Sequence, residues 1–134
     1  MDELSERLSR LGTLRDRARS EFDQDPFLRD IAERNLEVAA QCCIDICNKI
    51  ISREQARKPA DAHDAIVCMA ELGVLEPQFA RGLAPIAGFR NILVHGYVSI
   101  DWDAVYEHLQ GLDDLVAFSE AVKRWLRDRQ GTDP

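Results

Sequence analysis

The sequence predicts an all-α protein, a compact up-down bundle of about five helices. Three observations predict it. Apolar residues recur every three or four positions through long stretches, the period of a helix with one buried face. Only seven glycines and five prolines interrupt the 134 residues, so long regular elements are expected. No alternating apolar–polar run reaches the length of a useful strand.

Leu4, Leu8, Leu11 and Leu14 define the first helix. Asp2, Glu3 and Glu6 sit in its first turn, where carboxylates meet the positive end of the helix dipole. Arg7, Arg10, Arg15, Arg17 and Arg19 fill its other faces. They read as a solvated face, with RNA or partner contact as the alternative. Asp25-Pro26 starts a second helix, a capping residue followed by proline at the first helical position. Ile31, Val38, Cys42, Ile46 and Ile50 keep its period to about Ser52. Its length and apolar surface predict a central place in the bundle. Arg34 and Glu37 lie within it and read as an exposed ion pair or partner contact.

Lys58-Pro59 breaks the chain. Residues 62–72 form a third helix, closed by Gly73. Glu76-Pro77 opens a fourth run, which Pro85 and Gly88 should bend or interrupt. It continues through Phe89 and Leu93 to Gly96, a stop residue. Residues 98–100 connect to a final helix capped by Asp101. That helix carries Val105, Leu109, Leu112, Leu115, Val116, Val122 and Trp125. A single domain over residues 1–130 is expected, with 131–134 as a loose tail.

Apolar residues make up 46% and charged residues 31%, a globular balance rather than a disordered one. No stretch has the apolar length of a membrane span, and the acidic start Met1-Asp2-Glu3 does not resemble a signal peptide. A cytoplasmic protein without membrane contact is expected. The net charge of −7 has the wrong sign for a generic nucleic-acid binder. A nucleic-acid role needs a local basic cleft in an acidic body. Cys42, Cys43, Cys47 and Cys68 contain no C-x-x-C pair. They read as reduced thiols used as small core hydrophobes. His63 and His108, with Asp101 and Asp103, form no metal-ligand spacing.

The stretch Arg90-Asn91-Ile92-Leu93-Val94-His95-Gly96-Tyr97 gathers a fixed cation, an imidazole and a phenol. Arg can neutralise charge on a phosphoryl oxygen, and His can move a proton near neutral pH. That combination suits phosphodiester chemistry. On an ideal helix Arg90 and His95 point about 140° apart. A surface Arg, a helix-terminal His and a turn-packed Tyr would account for the same residues.

Arg90, His95 and Tyr97 with their flanks resemble the R-x4-H-x-Y motif of HEPN-domain toxins of the HepT-like family. Phe89, Ile100-Asp101 and Val105-Tyr106 extend the likeness. Residues 33–51 are similar to the family's long second helix, and Glu71-Leu72-Gly73-Val74-Leu75 to its usual turn. The resemblance covers residues 1–127. It implies a homodimeric bundle in which two motifs face each other, so Arg90 of one subunit complements His95 of the other. It implies a metal-independent endoribonuclease of a toxin–antitoxin pair, with a ribose 2′-OH attacking the adjacent phosphate. Arg90 and His95 would be catalytic, Asn91 supporting, and no cofactor or metal is implied. Tyr97 would be the target of an MntA-like nucleotidyltransferase antitoxin, which adds AMP to the phenol and silences the toxin. Higher hetero-oligomers with that partner are compatible with the resemblance. Two other readings remain open: a non-catalytic HEPN module that binds a nucleotide or partner, and a plain dimerisation bundle.

Overall fold

The computed structural model describes residues 2–17, 19–87, 106, 107 and 109–132. Among them all regular structure is helical: six helices have both ends described, and residues 86, 87, 106, 107, 109 and 110 are helical as well. The six are α1 (Asp2–Arg15), α2 (Arg19–Gln24), α3 (Pro26–Arg53), α4 (Ala62–Glu71), α5 (Pro77–Leu83) and α6 (Leu112–Thr132). The expected helical bundle is present, and it includes a short helix, α2, that the periodicity did not indicate.

The leucines of α1 all turn inward: Leu4, Leu8, Leu11 and Leu14 are buried. The short α2 was not expected from the sequence. Six residues carry too little periodicity to register, and its one anchor is Phe22, which is fully buried.

α3 begins where predicted. Asp25 caps it, its side chain accepting from the Phe27 backbone N–H at 3.0 Å, with Pro26 in the first turn. It is central as expected, packing against α1, α2 and α4. Its buried face differs from the branched-residue stripe. Ala32, Leu36, Ala39, Ala40, Cys43 and Cys47 are the deepest positions, whereas Ile31 is 48% exposed and Val38, Cys42 and Ile46 are only partly covered. Small residues let neighbouring helices approach the α3 backbone, so the core face is set by Ala and Cys as much as by Ile.

α4 runs as expected. Asp61 accepts from the Asp64 N–H at 2.8 Å to cap its start. Gly73, at φ +80°, closes its end. The Gly73 N–H donates to the Ala70 carbonyl and the Val74 N–H to that of Met69, which satisfies carbonyls the helix leaves open. α5 starts at the predicted Pro77 and ends at Leu83, two residues before Pro85. Proline has no N–H to continue the ladder and its ring crowds the carbonyl four residues back.

The final run is not one uninterrupted helix. Residues 106, 107, 109 and 110 are helical, Gly111 forms a turn, and α6 starts at Leu112. Leu109, Leu112, Leu115, Phe118 and Val122 are buried, while Val116 lies at the surface. Phe118 is fully buried and was absent from the expected stripe. α6 extends to Thr132, two residues into the stretch expected as a loose tail.

Ion pairs and a hydrogen bond between helices report the helix directions. Arg15 reaches Asp113 at 2.8 Å and Lys123 reaches Ser5 at 3.4 Å, so α1 and α6 are antiparallel. Arg129 meets Glu54 at 2.6 Å, so α3 and α6 end together. One core cluster draws side chains from all six helices. Cys43, Cys47 and Cys68 are buried in it and all four cysteines are free, as expected. Burial pushes the Cys47 thiol up to about 12. The same cause raises the Cys43 thiol further.

Candidate functional site

Arg90, Asn91, His95 and Tyr97 lie outside the described residues, as do the expected Gly88 interruption, the Gly96 stop, the Asp101 cap and His108. The frame that receives their segment is described on both sides. On the N-terminal side, Ile86 and Ala87 are buried, at 7% and 3% exposed. On the C-terminal side, the Tyr106 ring meets Phe22 edge-on at 6.2 Å between centroids and 72° between planes. Both ends of the motif-bearing segment are therefore anchored in the same core.

Between these anchors lies a cleft of about 340 Å³. Leu36, Leu83, Pro85 and Ile86 form one side, and Gly111 with Leu115 the other. Glu107 and Asp114 also line it. The charge of its described lining is negative, so the described residues of this cleft do not supply the basic surface that a phosphate ligand needs.

The arginines of α1 do not supply it either. Arg7 donates to the Asn35 side-chain oxygen at 3.0 Å and approaches Glu3 at 3.6 Å. Arg10 pairs with Glu6 at 2.6 Å, and Arg17 with Glu21 at 3.3 Å. With Arg15 on Asp113, the four are compensated by neighbouring carboxylates. Arg10 and Arg17 lie about half exposed, as a solvated face requires, whereas Arg7 is partly buried against Asn35. Arg34 and Glu37 form the expected exposed pair, at 3.5 Å.

Two polar groupings escaped the sequence reading. Asn35 is 4% exposed in the middle of α3. Its amide donates to the Ile31 carbonyl at 2.8 Å while its oxygen accepts from Arg7. The i to i+4 spacing of Ile31 and Asn35 was available, but the α1 partner was not. In the loop before α4, Arg57 grips Asp64 with both terminal nitrogens, at 2.7 and 2.8 Å, and reaches Glu71 from Nε at 2.8 Å. The guanidinium holds the Asp64 carboxyl well below the usual carboxylate range, and the Ala60 N–H adds to this. His63 is exposed beside this network. Among the described residues no group of three or more His, Cys, Asp or Glu is arranged to hold a metal ion. No helix among them is long and apolar enough to cross a membrane.

The bundle matches solved structures of toxin–antitoxin complexes. A crystal structure of a toxin–antitoxin with AMP-PNP aligns at a TM-score of 0.82 and 27% identity, covering 92% of this chain and 93% of that one. The tri-AMPylated Shewanella oneidensis HEPN toxin in complex with MNT antitoxin aligns at 0.74 and 27% identity, covering 92% and 98%. The fold is thus that of HEPN toxins.

The family follows from the sequence. The ribonuclease HepT-like family matches residues 4–122, and the chain belongs to it. The mRNA nuclease HepT of Shewanella oneidensis is 31% identical over 105 residues, 78% of this chain and 79% of that protein. The tRNA nuclease HepT of Aphanizomenon flos-aquae is 36% identical over 76 residues, 57% and 52% of the two. The expected family resemblance is thereby established.

Proposed function

We propose that this chain is the ribonuclease toxin of a toxin–antitoxin pair, acting on RNA through Arg90 and His95. The observation that carries this reading is the Arg90 to Tyr97 motif inside a chain of the HepT-like family. Related proteins that are named mRNA and tRNA nucleases support it.

The chemistry follows from the residues. The 2′-oxygen bonds to phosphorus as the bond from phosphorus to the 5′-oxygen breaks, leaving a cyclic phosphate and a 5′-OH. One proton leaves the 2′-OH and one arrives on the 5′-oxygen. His95 serves one of these transfers. Arg90 offsets the charge that accumulates on the phosphoryl oxygens. Asn91 orients the His or the RNA. None of these roles calls on a metal ion. The roughly 140° between Arg90 and His95 on a helix is resolved if two subunits face each other and each completes the other's site. Dimerisation is then part of the mechanism.

Tyr97 is the site at which a nucleotidyltransferase antitoxin silences the protein by AMPylation. A structure of the tri-AMPylated Shewanella toxin with its MNT antitoxin supports this reading. An added nucleotide places negative charge and bulk beside Arg90 and His95, where RNA phosphate must bind.

The test is RNA cleavage by purified protein in the presence of a chelator, alongside Arg90→Ala and His95→Ala. Cleavage that survives chelator and disappears in both variants is expected. A folded, unmodified dimer that leaves cellular RNA intact would sink the proposal. Intact-mass analysis after incubation with the antitoxin and ATP is expected to add AMP at Tyr97, and Tyr97→Phe should stay unmodified.

A further inference from the structure

The C-terminal half of α3 and the loop that follows it enclose a groove of about 720 Å³, remote in sequence from the Arg90 to Tyr97 motif. That volume is in the range of small-molecule sites. Ile44 and Ile51 form an apolar floor, and Asn48, Gln55 and Lys58 line the walls. Asn48, Gln55 and Lys58 are exposed, and none of the three makes a side-chain hydrogen bond or ion pair. Among the described lining residues the one carboxylate is that of Asp61, which caps α4.

Gln55 has a backbone that glycine would normally occupy. Its φ is +54°. It ends α3 by the same bonding that Gly73 uses to end α4: the Gln55 N–H donates to the Ser52 carbonyl and the Ala56 N–H to that of Ile51. The two helix ends have one geometry and two residues. Gly73 suits it without strain; Gln55 does not, and its side chain faces the groove.

We propose that this groove binds a nucleotide, with the base on the Ile44–Ile51 floor, its polar edge read by Asn48 and Gln55, and its phosphate held by Lys58. Each primary amide offers a donor beside an acceptor, the pattern of a base edge. A purely apolar ligand would leave these amides unpaired, and a simple anion would not use the floor. The same chemistry is presented by a free mononucleotide and by an unpaired nucleotide of single-stranded RNA. The inference does not depend on the ribonuclease reading, because a free-nucleotide site stands without it.

Side-chain amide signals of Asn48 and Gln55 are followed by NMR in the full-length protein, during titration with AMP and with a 2′-O-methyl oligoribonucleotide. The oligonucleotide has no attacking 2′-OH, so binding is read apart from cutting. Shifts with AMP identify a free-nucleotide site, and shifts with the oligonucleotide alone identify an RNA subsite. Asn48→Ala and Lys58→Ala, which disturb no buried contact, are each expected to weaken binding about tenfold. Gln55→Gly should raise the melting temperature while weakening binding to a similar degree. Amide signals unmoved by either ligand at millimolar concentration would overturn the proposal. So would binding that is unchanged in all three variants.

Discussion

The first helix and the Arg90 to Tyr97 stretch are the two places where the sequence puts cations to notice, and they differ in what surrounds them. Arg7, Arg10, Arg15 and Arg17 are numerous and already matched by Glu3, Glu6, Asp113 and Glu21. The motif has a single arginine, with a histidine and a phenol close by in sequence. On α1 and the turn after it, a high density of cations does not leave free positive charge, because carboxylates match it. A fixed charge acts on a ligand only when the fold leaves it uncompensated.

The comparison breaks most sharply at the motif. Arg90→Ala or His95→Ala is expected to lower RNA cleavage by roughly 10²- to 10⁴-fold with little change in thermal stability. Single-turnover cleavage and a melting curve on the same samples check this. Equal loss of activity and stability would make both residues structural.

α1 contributes to the protein through its leucines. Leu11 is fully buried, so Leu11→Ala should cost about 2–5 kcal/mol in denaturant unfolding. Cleavage by the fraction that remains folded should be unchanged. A loss below about 1 kcal/mol would mean that the α1 contact with the core is dispensable.

Those leucines were legible in the sequence because their period is regular and their residue type unambiguous. The same held for Asp25-Pro26 and Gly73, where one residue fixes a helix end. The face of α3 was less legible. Its core positions are alanines and cysteines, which hydrophobic patterning weights below the flanking Ile31 and Val38. α2 and the Arg57 network could not be read because each depends on partners far along the chain or on a single anchor such as Phe22. The residue types of the motif are legible in the sequence, whereas the proposed pairing of Arg90 with His95 across subunits is a matter of assembly, which residue types along one chain do not specify.

Arg57 sharpens the comparison from a third position, a single arginine held by two carboxylates. Arg57→Ala should lower the melting temperature more than breaking any one exposed pair on α1, because bidentate geometry and a second acceptor are lost together. The pH dependence has a definite sign. Asp64 is held below its ordinary range in the folded state, so its stabilisation is present above the unfolded value. It is lost as the pH falls through the carboxylate range toward the folded one. The stability difference between wild type and Asp64→Asn should be flat above about pH 5 and shrink below about pH 4. A difference that persists unchanged into strong acid would remove the ion pair as its cause.

The smallest effect is expected at the exposed pairs on α1 and in the turn that follows it. Arg10 and Arg17 lie about half exposed beside Glu6 and Glu21 at i to i+4 spacing. Such pairs contribute roughly 0.3–0.5 kcal/mol. Arg10→Ala and Arg17→Ala should change stability by no more than that and leave cleavage within about twofold of wild type, at low and at moderate salt. The salt arm matters. If these arginines did reach RNA, each lost phosphate contact would lower the slope of log affinity against log salt by about 0.7 for a single strand. An unchanged slope keeps α1 a scaffold. A reduced one would mean that RNA displaces Glu6 or Glu21, and the distinction between the two regions would then be one of strength rather than of kind.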